Sequence, residues 1–530
     1  MRVELISLKF ITFLALLLVT YYVIGHFAPG RRWIVLLLGS LSFFTLVGGW
    51  LGLGLVVAVA LVTWVGSLLL YHEKKAEEAA CRNTEDEEKK ELIAKTHLRK
   101  RRRDFVCTLM LCLATLVAFR ILRDARPFPG ALGHHGPLAA LGLCFYVLQA
   151  LSYLIDTYRL HILPQPNFAR YLLFVSYFPQ VACGPINRYD AFFDQLMKPR
   201  RPNGEQVERA LLRIGYGSLK ILAITNILHN AMVAVFQTAA GPNIAGSLAI
   251  FGTVVYGIFA YAEFSGMADI LEGISELFGI RMAPNYRRPF FATSLLDFWG
   301  RWNSTLGTWM HDYVYGPLLA SRPLRPLGTA LRNWLSERTT KTLVAVIPTT
   351  IVFVLVGLWY GTGAHFAIWG LYHGLIISIS ALVAPLFDKL NNLLKIRSAS
   401  VGMHAFRIVR TYVVVCIGWF FACFGSLHNA WFALVNALTN PFSAPLETAL
   451  NKAGATYASG LGFTIPTLLV CTLVLVSDIA HERNVDASAT VLGWKLPARA
   501  TLYAVLILLA AYAAALDTTM GGGDLLHVFS

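Results

Sequence analysis

Trp33–Tyr71 reads WIVLLLGSLSFFTLVGGWLGLGLVVAVALVTWVGSLLLY and contains no charged side chain. A helix crosses about 30 Å of hydrocarbon with about 20 predominantly apolar residues. The stretch therefore predicts two consecutive membrane spans, Trp33–Trp50 and Leu51–Tyr71. Ile6–His26 precedes them as a block of the same kind. Phe105–Leu122, Ala139–Tyr158, Ala210–Phe236, Ile244–Ala262, Thr342–Trp359, Phe366–Leu386, Tyr412–Ser426, Phe463–Ile479 and Thr501–Ala515 follow. Lipid offers no partner to backbone polar groups, so such blocks fold as helices. We expect an all-α, polytopic integral membrane protein with about 11–14 membrane-embedded helices, some short or re-entrant. With no long polar linker between halves, residues 1–530 read as one membrane domain.

Composition supports this class. Apolar residues make up 56% of the chain and charged residues 14%, against about 25% charged in soluble domains. Ile6–His26 is longer than a signal-peptide core and is followed by Arg31-Arg32, which predicts a retained first span. The net charge is +15, but the basic residues lie between apolar blocks, where they report topology rather than nucleic-acid binding. The densest run is Arg99-Lys100-Arg101-Arg102-Arg103. It ends a charged segment, 72–104, expected to be a partly helical cytoplasmic loop resting on anionic lipid headgroups. Counting back three spans places Arg31-Arg32 inside and the N-terminus outside. Arg120, Arg123 and Arg126 run against that rule. The eight cysteines form no C-x-x-C pair, so neither a zinc site nor a disulfide framework is expected.

Two segments do not read as ordinary spans. Phe290–Leu319, FFATSLLDFWGRWNSTLGTWMHDYVYGPLL, interleaves aromatic and charged residues. Charges are costly against lipid and normally face a bundle interior or a cavity. The segment is either an amphipathic interfacial helix or the polar floor of a membrane cavity. On the second reading Asn303 and Asp312 face inward. One span later, Gly357–Gly374 places His365 and His373 in an apolar, glycine-rich stretch. An imidazole is costly to bury in a membrane without a partner, and histidine suits general base work near neutrality.

In this order the segments resemble the signatures of the membrane-bound O-acyltransferase (MBOAT) family. Asp297-Phe298-Trp299-Gly300-Arg301-Trp302-Asn303 resembles its Asp-Phe-Trp-x-Arg-Trp-His, and Trp309–Tyr315 its Trp-x-Arg-Asp-Tyr-x-Tyr. Gly357–Gly374 is similar to its Gly-x-Trp-His-Gly followed by Trp-Gly-x-x-His-Gly. Phe145–Arg159, Tyr177–Tyr189 (YFPQVACGPINRY), Tyr261–Asp269 (YAEFSGMAD) and Pro284–Phe290 resemble upstream family segments, so the likeness covers about residues 140–375. The bacterial branch, with alginate O-acetylation and teichoic-acid D-alanylation acyltransferases, is the most similar.

The resemblance implies a ring of tilted helices around a central tunnel in a bacterial inner membrane. It implies transfer of an acyl group, such as acetyl, to a hydroxyl of an envelope glycan or to a periplasmic partner enzyme. No bound cofactor or metal is implied; acyl-CoA or an acyl carrier protein thioester would be the co-substrate. Membrane lipids are the other partner, and nucleic acid is not one.

The sequence departs from the family at its central positions. Tyr360 stands where the family carries its principal histidine, and Asn303 where it carries the upstream one. An Asn amide orients or polarises but is not a base near pH 7. If the chain is an enzyme, the base is His373 or His365, with Asn303 and Tyr360 as hydrogen-bonding helpers. His365 lies five residues beyond Tyr360, a turn of about 140° on a continuous helix, and Gly361-Thr362-Gly363 puts that continuity in question. Arg301, Trp302, Trp309, His311, Asp312, Tyr315 and Trp359 are the candidate substrate-binding residues. The alternative is a non-catalytic relative acting as a tunnel, scaffold or transporter, although no internal repeat marks a secondary transporter.

Overall fold

The computed structural model describes residues 7–124, 142–225, 228, 235, 244–361, 363–395, 397, 400–443 and 465–519. Arg126, and the side chains of Arg120 and Arg123, lie outside the described residues, as does most of 226–236 in the block Ala210–Phe236. The described residues form helices and connecting turns, with no strand. Among the described residues, six helices are long and apolar enough to span a membrane. The chain is an all-α, multi-pass membrane protein.

The chain folds into two units. One comprises Met1–Ala210 and Leu271–Ala283, the other Leu211–Ile270 and Pro284–Ser530. The first unit opens with α1 (Leu8–Phe27) and the long run α2 (Arg32–Arg82). Inside α2, Gly49 adopts φ 62°, ψ −168° and breaks the run into two helices. Only glycine enters that region readily, so the two expected spans part within two residues of Leu51. The charged segment 72–104 is helical except around 83–86: it forms the end of α2 and the start of α3 (Glu87–Asp124), which pack against each other. α4 (Leu143–Tyr158), α5 (Phe168–Ser176), α6 (Phe178–Cys183) and α7 (Tyr189–Met197) follow. Here the YFPQVACGPINRY segment acts as a buried brace. Asn187 donates to Gln180 Oε1 at 3.0 Å and accepts from Ala283 N at 3.1 Å.

α8 (Gly204–Leu219) leads through a π-helical turn (Lys220–Thr225) toward α9 (Gly246–Leu277). Then come two short helices, α10 (Leu295–Arg301) and α11 (Ser304–Met310), a second π-helical turn (His311–Tyr315) and α12 (Gly316–Leu319). α13 (Leu324–Arg332) precedes the long pair α14 (Glu337–Tyr360) and α15 (Ala364–Leu393). α16 (Val401–Cys423), α17 (Leu427–Thr439), α18 (Ile465–Glu482), α19 (Ala487–Leu492) and α20 (Leu496–Thr519) complete the described chain.

α14 and α15 approach closely because small residues line their seam. A Cβ on Gly370 would lie 2.2 Å from the Phe353 carbonyl oxygen, and one on Gly357 2.2 Å from that of Phe366. Such close backbone approach is the usual basis of helix association in lipid. It fixes Tyr360, at the end of α14, against the first turns of α15.

Candidate functional site

The site grows from a short extended piece of chain. Residues 284–288 run beside residues 300–305. Ser304 N donates to Asn285 O at 2.9 Å, and Arg287 N to Arg301 O at 2.9 Å. Arg287 Nη2 donates to Gly300 O at 2.8 Å. The buried Asn285 side chain accepts from Thr305 N at 3.2 Å and Thr305 Oγ1 at 2.7 Å. These bonds set the junction of α10 and α11, where Asn303 takes φ 46°, ψ 49°. Asparagine tolerates that left-handed conformation better than most residues.

The junction turns Trp302 and Asn303 toward the end of α14. Tyr360 Oη accepts from Trp302 Nε1 at 3.2 Å and from Asn303 Nδ2 at 3.4 Å. Trp302 is braced by Phe298, stacked at 5.7 Å, and by Trp419 on α16 at 5.6 Å. Trp302, Tyr360, Trp369 and Trp419 wall a cavity of about 30 Å³, closed by Tyr256, Ala260, Phe264, Phe366 and Ala422. That space holds about one or two waters. Its walls are aromatic and apolar, and the lining residues with polar groups are Tyr256, Trp302, Tyr360, Trp369 and Trp419.

The two histidines stand apart from this cavity's lining. α14 ends at Tyr360 and α15 starts at Ala364, so the glycine-flanked break separates Tyr360 from His365. His365 is half-buried with its ring against Phe366 at 4.5 Å. His373 is wholly buried, and among the described residues neither ring nitrogen has a hydrogen-bond partner. It sits edge-on to Trp369 at 4.8 Å and Trp299 at 5.0 Å. Gly418 makes room for it: a Cβ there would lie 2.4 Å from His373 Nε2. Trp369 lines the cavity and packs against His373.

The remaining candidates divide. Trp309 is buried against Tyr313 at 5.2 Å. Trp359 packs on Tyr360 at 5.0 Å. Asp312, expected to face inward, is instead exposed and lies 3.0 Å from His311 Nδ1, while His311 stacks on Tyr315. The π-helical turn His311–Tyr315 is the physical reason. Its wider repeat breaks the 3.6-residue phase that would place Asp312 with Trp309. Arg301 points away from Tyr360 into an ion cluster, meeting Asp297 at 2.7 Å and Glu482 at 2.9 Å. Partial burial works against its charge, but Glu482 and then Asp297 hold the guanidinium above its usual range.

The YAEFSGMAD segment builds a second polar cluster on one face of α9. Lys220 Nζ meets Asp269 Oδ2 at 2.8 Å and Ser265 Oγ at 3.2 Å. Tyr261 donates to Asp478 on α18 at 3.0 Å. Sequence reasoning passed over Asn285, Trp369, Gly418, Trp419, Asp478 and Glu482. Of these, Asn285 and Trp369 lie inside the family-like segments, and Asp478 is an acid within the apolar block Phe463–Ile479; Gly418, Trp419 and Glu482 carry no local signal.

Residues 85–329 match the family described as MBOAT, membrane-bound O-acyltransferase family. The chain is 28% identical to the "Probable alginate O-acetylase AlgI" of Azotobacter vinelandii over 338 residues, covering 64% of this chain and 60% of that protein. It is 28% identical to the peptidoglycan O-acetyltransferase of Helicobacter pylori over 45% of this chain and 47% of that one. It is 24% identical to the teichoic acid D-alanyltransferase of Bacillus subtilis over 54% and 70%. The alignment thus spans about 60% of the length of the alginate relative.

Proposed function

We propose that this chain, a member of the membrane-bound O-acyltransferase family in its bacterial branch, transfers an acyl group, such as acetyl, to an envelope hydroxyl. The acceptor is a glycan or a periplasmic partner enzyme, and the donor a thioester of coenzyme A or of an acyl carrier protein. One observation carries the reading. Trp302 and Asn303 both donate to Tyr360 Oη, so the two segments that resemble the family signatures meet at one hydroxyl, and Trp302 and Tyr360 line one cavity.

In this reaction a base takes the acceptor proton and the acceptor oxygen attacks the thioester carbonyl. A C–O bond forms, the C–S bond breaks, and the departing thiolate takes up the proton. Donors near the carbonyl stabilise the tetrahedral oxyanion. In our reading Asn303 and Trp302 fix the Tyr360 hydroxyl beside the reacting carbonyl. His373 is the base, since an imidazole with neither nitrogen engaged has an acceptor to offer. Its reach to the cavity requires a bridging water or a rotation of Trp369, and catalytic contacts commonly tighten only with substrate bound.

A second reading has its own support: the residues lining the cavity include no histidine, and Tyr360 stands where the family carries one. On that reading the cavity binds without catalysing. Mass spectrometry of ester-linked acyl groups on envelope polymers separates the two. A deletion strain complemented with the wild-type gene regains the ester on the first reading; on the second, deletion and complementation leave the esters unchanged.

A further inference from the structure

We infer that α18 is a positioning element for this site, acting through Glu482 and Asp478, and that Glu482 sets the orientation of Trp302-Asn303 by holding Arg301. The role in transfer rests on the proposed reaction; the mechanical coupling does not.

Glu482 is the last residue of α18. A carboxylate there faces the negative end of the helix dipole, an unfavourable place. Its surroundings offset that cost. Both Glu482 oxygens accept from Arg301 Nη1, at 3.0 and 2.9 Å. Arg288 Nε lies 3.4 Å from Glu482 Oε2. One carboxylate therefore ties together Arg288 and Arg301, one on each of the paired segments 284–288 and 300–305. Arg301 ends α10, and the next two residues are the ones that reach Tyr360. The Asp297 carboxylate on Arg301 Nε, at 2.7 Å, holds the other edge of the guanidinium.

Asp478 lies one helical turn earlier on the same face of α18. It accepts from Tyr261 on α9, at 3.0 Å. α18 therefore grips two separate family-like segments with two acids one turn apart, although it lies outside the residues that match the family.

The test uses the full-length protein in detergent, with hydrogen–deuterium exchange and acyl transfer measured on the same variants. Glu482→Gln keeps the shape and removes the charge. We expect exchange across 297–303 to accelerate about tenfold or more, since a charge-assisted bond is lost, while 366–377 of α15 is unchanged. Acyl transfer should fall by about tenfold to a hundredfold through misplacement alone. Glu482→Asp should recover part of both losses. Glu337→Gln, which breaks an exposed pair with Lys341, is the control and should alter neither. Unchanged exchange at 297–303 in Glu482→Gln overturns the coupling. Accelerated exchange with undiminished transfer overturns the positioning role. If the wild-type protein transfers no acyl group, the proposed reaction fails while the exchange measurement still decides the coupling.

Discussion

Asn303 Nδ2 donates to Tyr360 Oη at 3.4 Å, joining residues 57 positions apart. By the resemblance of the two segments, both stand where the family signatures carry histidine, and the two departures from that pattern meet in space. Trp302 donates to the same oxygen, and the phenol serves as the common acceptor of the two motif segments.

Tyr360→Phe tests that role. Removing the oxygen strips the acceptor from two buried donors, which costs about 1–3 kcal/mol. Thermal melting in detergent should fall accordingly, and transfer should fall with it. Tyr360→His should raise transfer above wild type, because it places an imidazole directly on the cavity wall. Initial rates with a thioester donor read both effects.

Gly418 and His373 should be coupled. Gly418→Ala drives a Cβ into His373 Nε2, and overpacking of this kind costs about 1–3 kcal/mol. Removing the imidazole relieves the clash, so Gly418→Ala should cost much less in a His373→Ala background. A double-mutant cycle on melting measures it; strictly additive effects would contradict the packing described.

Gly49 should tolerate no side chain. Its φ of 62° with ψ of −168° belongs to a region essentially reserved for glycine, at a cost of about 1–3 kcal/mol for other residues. Gly49→Ala should lower the melting temperature, whereas Gly54→Ala, with open space around its Cβ, should not.

The segment 72–104 should face the cytoplasm, because its basic run lies beside a span. In a cysteine-free background, Glu85→Cys should react with a membrane-impermeant thiol reagent only after the membrane is opened. Labelling in intact cells would reverse the orientation.

Much of this architecture was legible because lipid imposes simple rules. Long apolar runs pointed to the six described helices long and apolar enough to cross a membrane, and the break between Tyr360 and His365 was readable from Gly361 and Gly363. The burial of Asn303 followed from the expense of polar groups against lipid. The same expense predicts an inward-facing Asp312, but Asp312 is exposed on the π-helical turn His311–Tyr315. Glu482 was invisible: its bond to Arg301 spans 181 positions, and a terminal acid on an apolar helix shows no periodicity or motif. The room that Gly418 leaves for His373 was likewise hidden, since a glycine in an apolar span has many possible reasons.

The most direct test of the central claim is the ester-linked acyl content of envelope polymers, measured by mass spectrometry in a deletion strain carrying wild-type or His373→Gln protein at equal expression. The wild-type protein should restore the ester, and His373→Gln, which keeps a polar side chain of similar size but not basicity, should lower it by about 10²-fold. Full restoration by His373→Gln would contradict the assignment of the base, and unchanged acyl content on deletion would contradict acyl transfer itself.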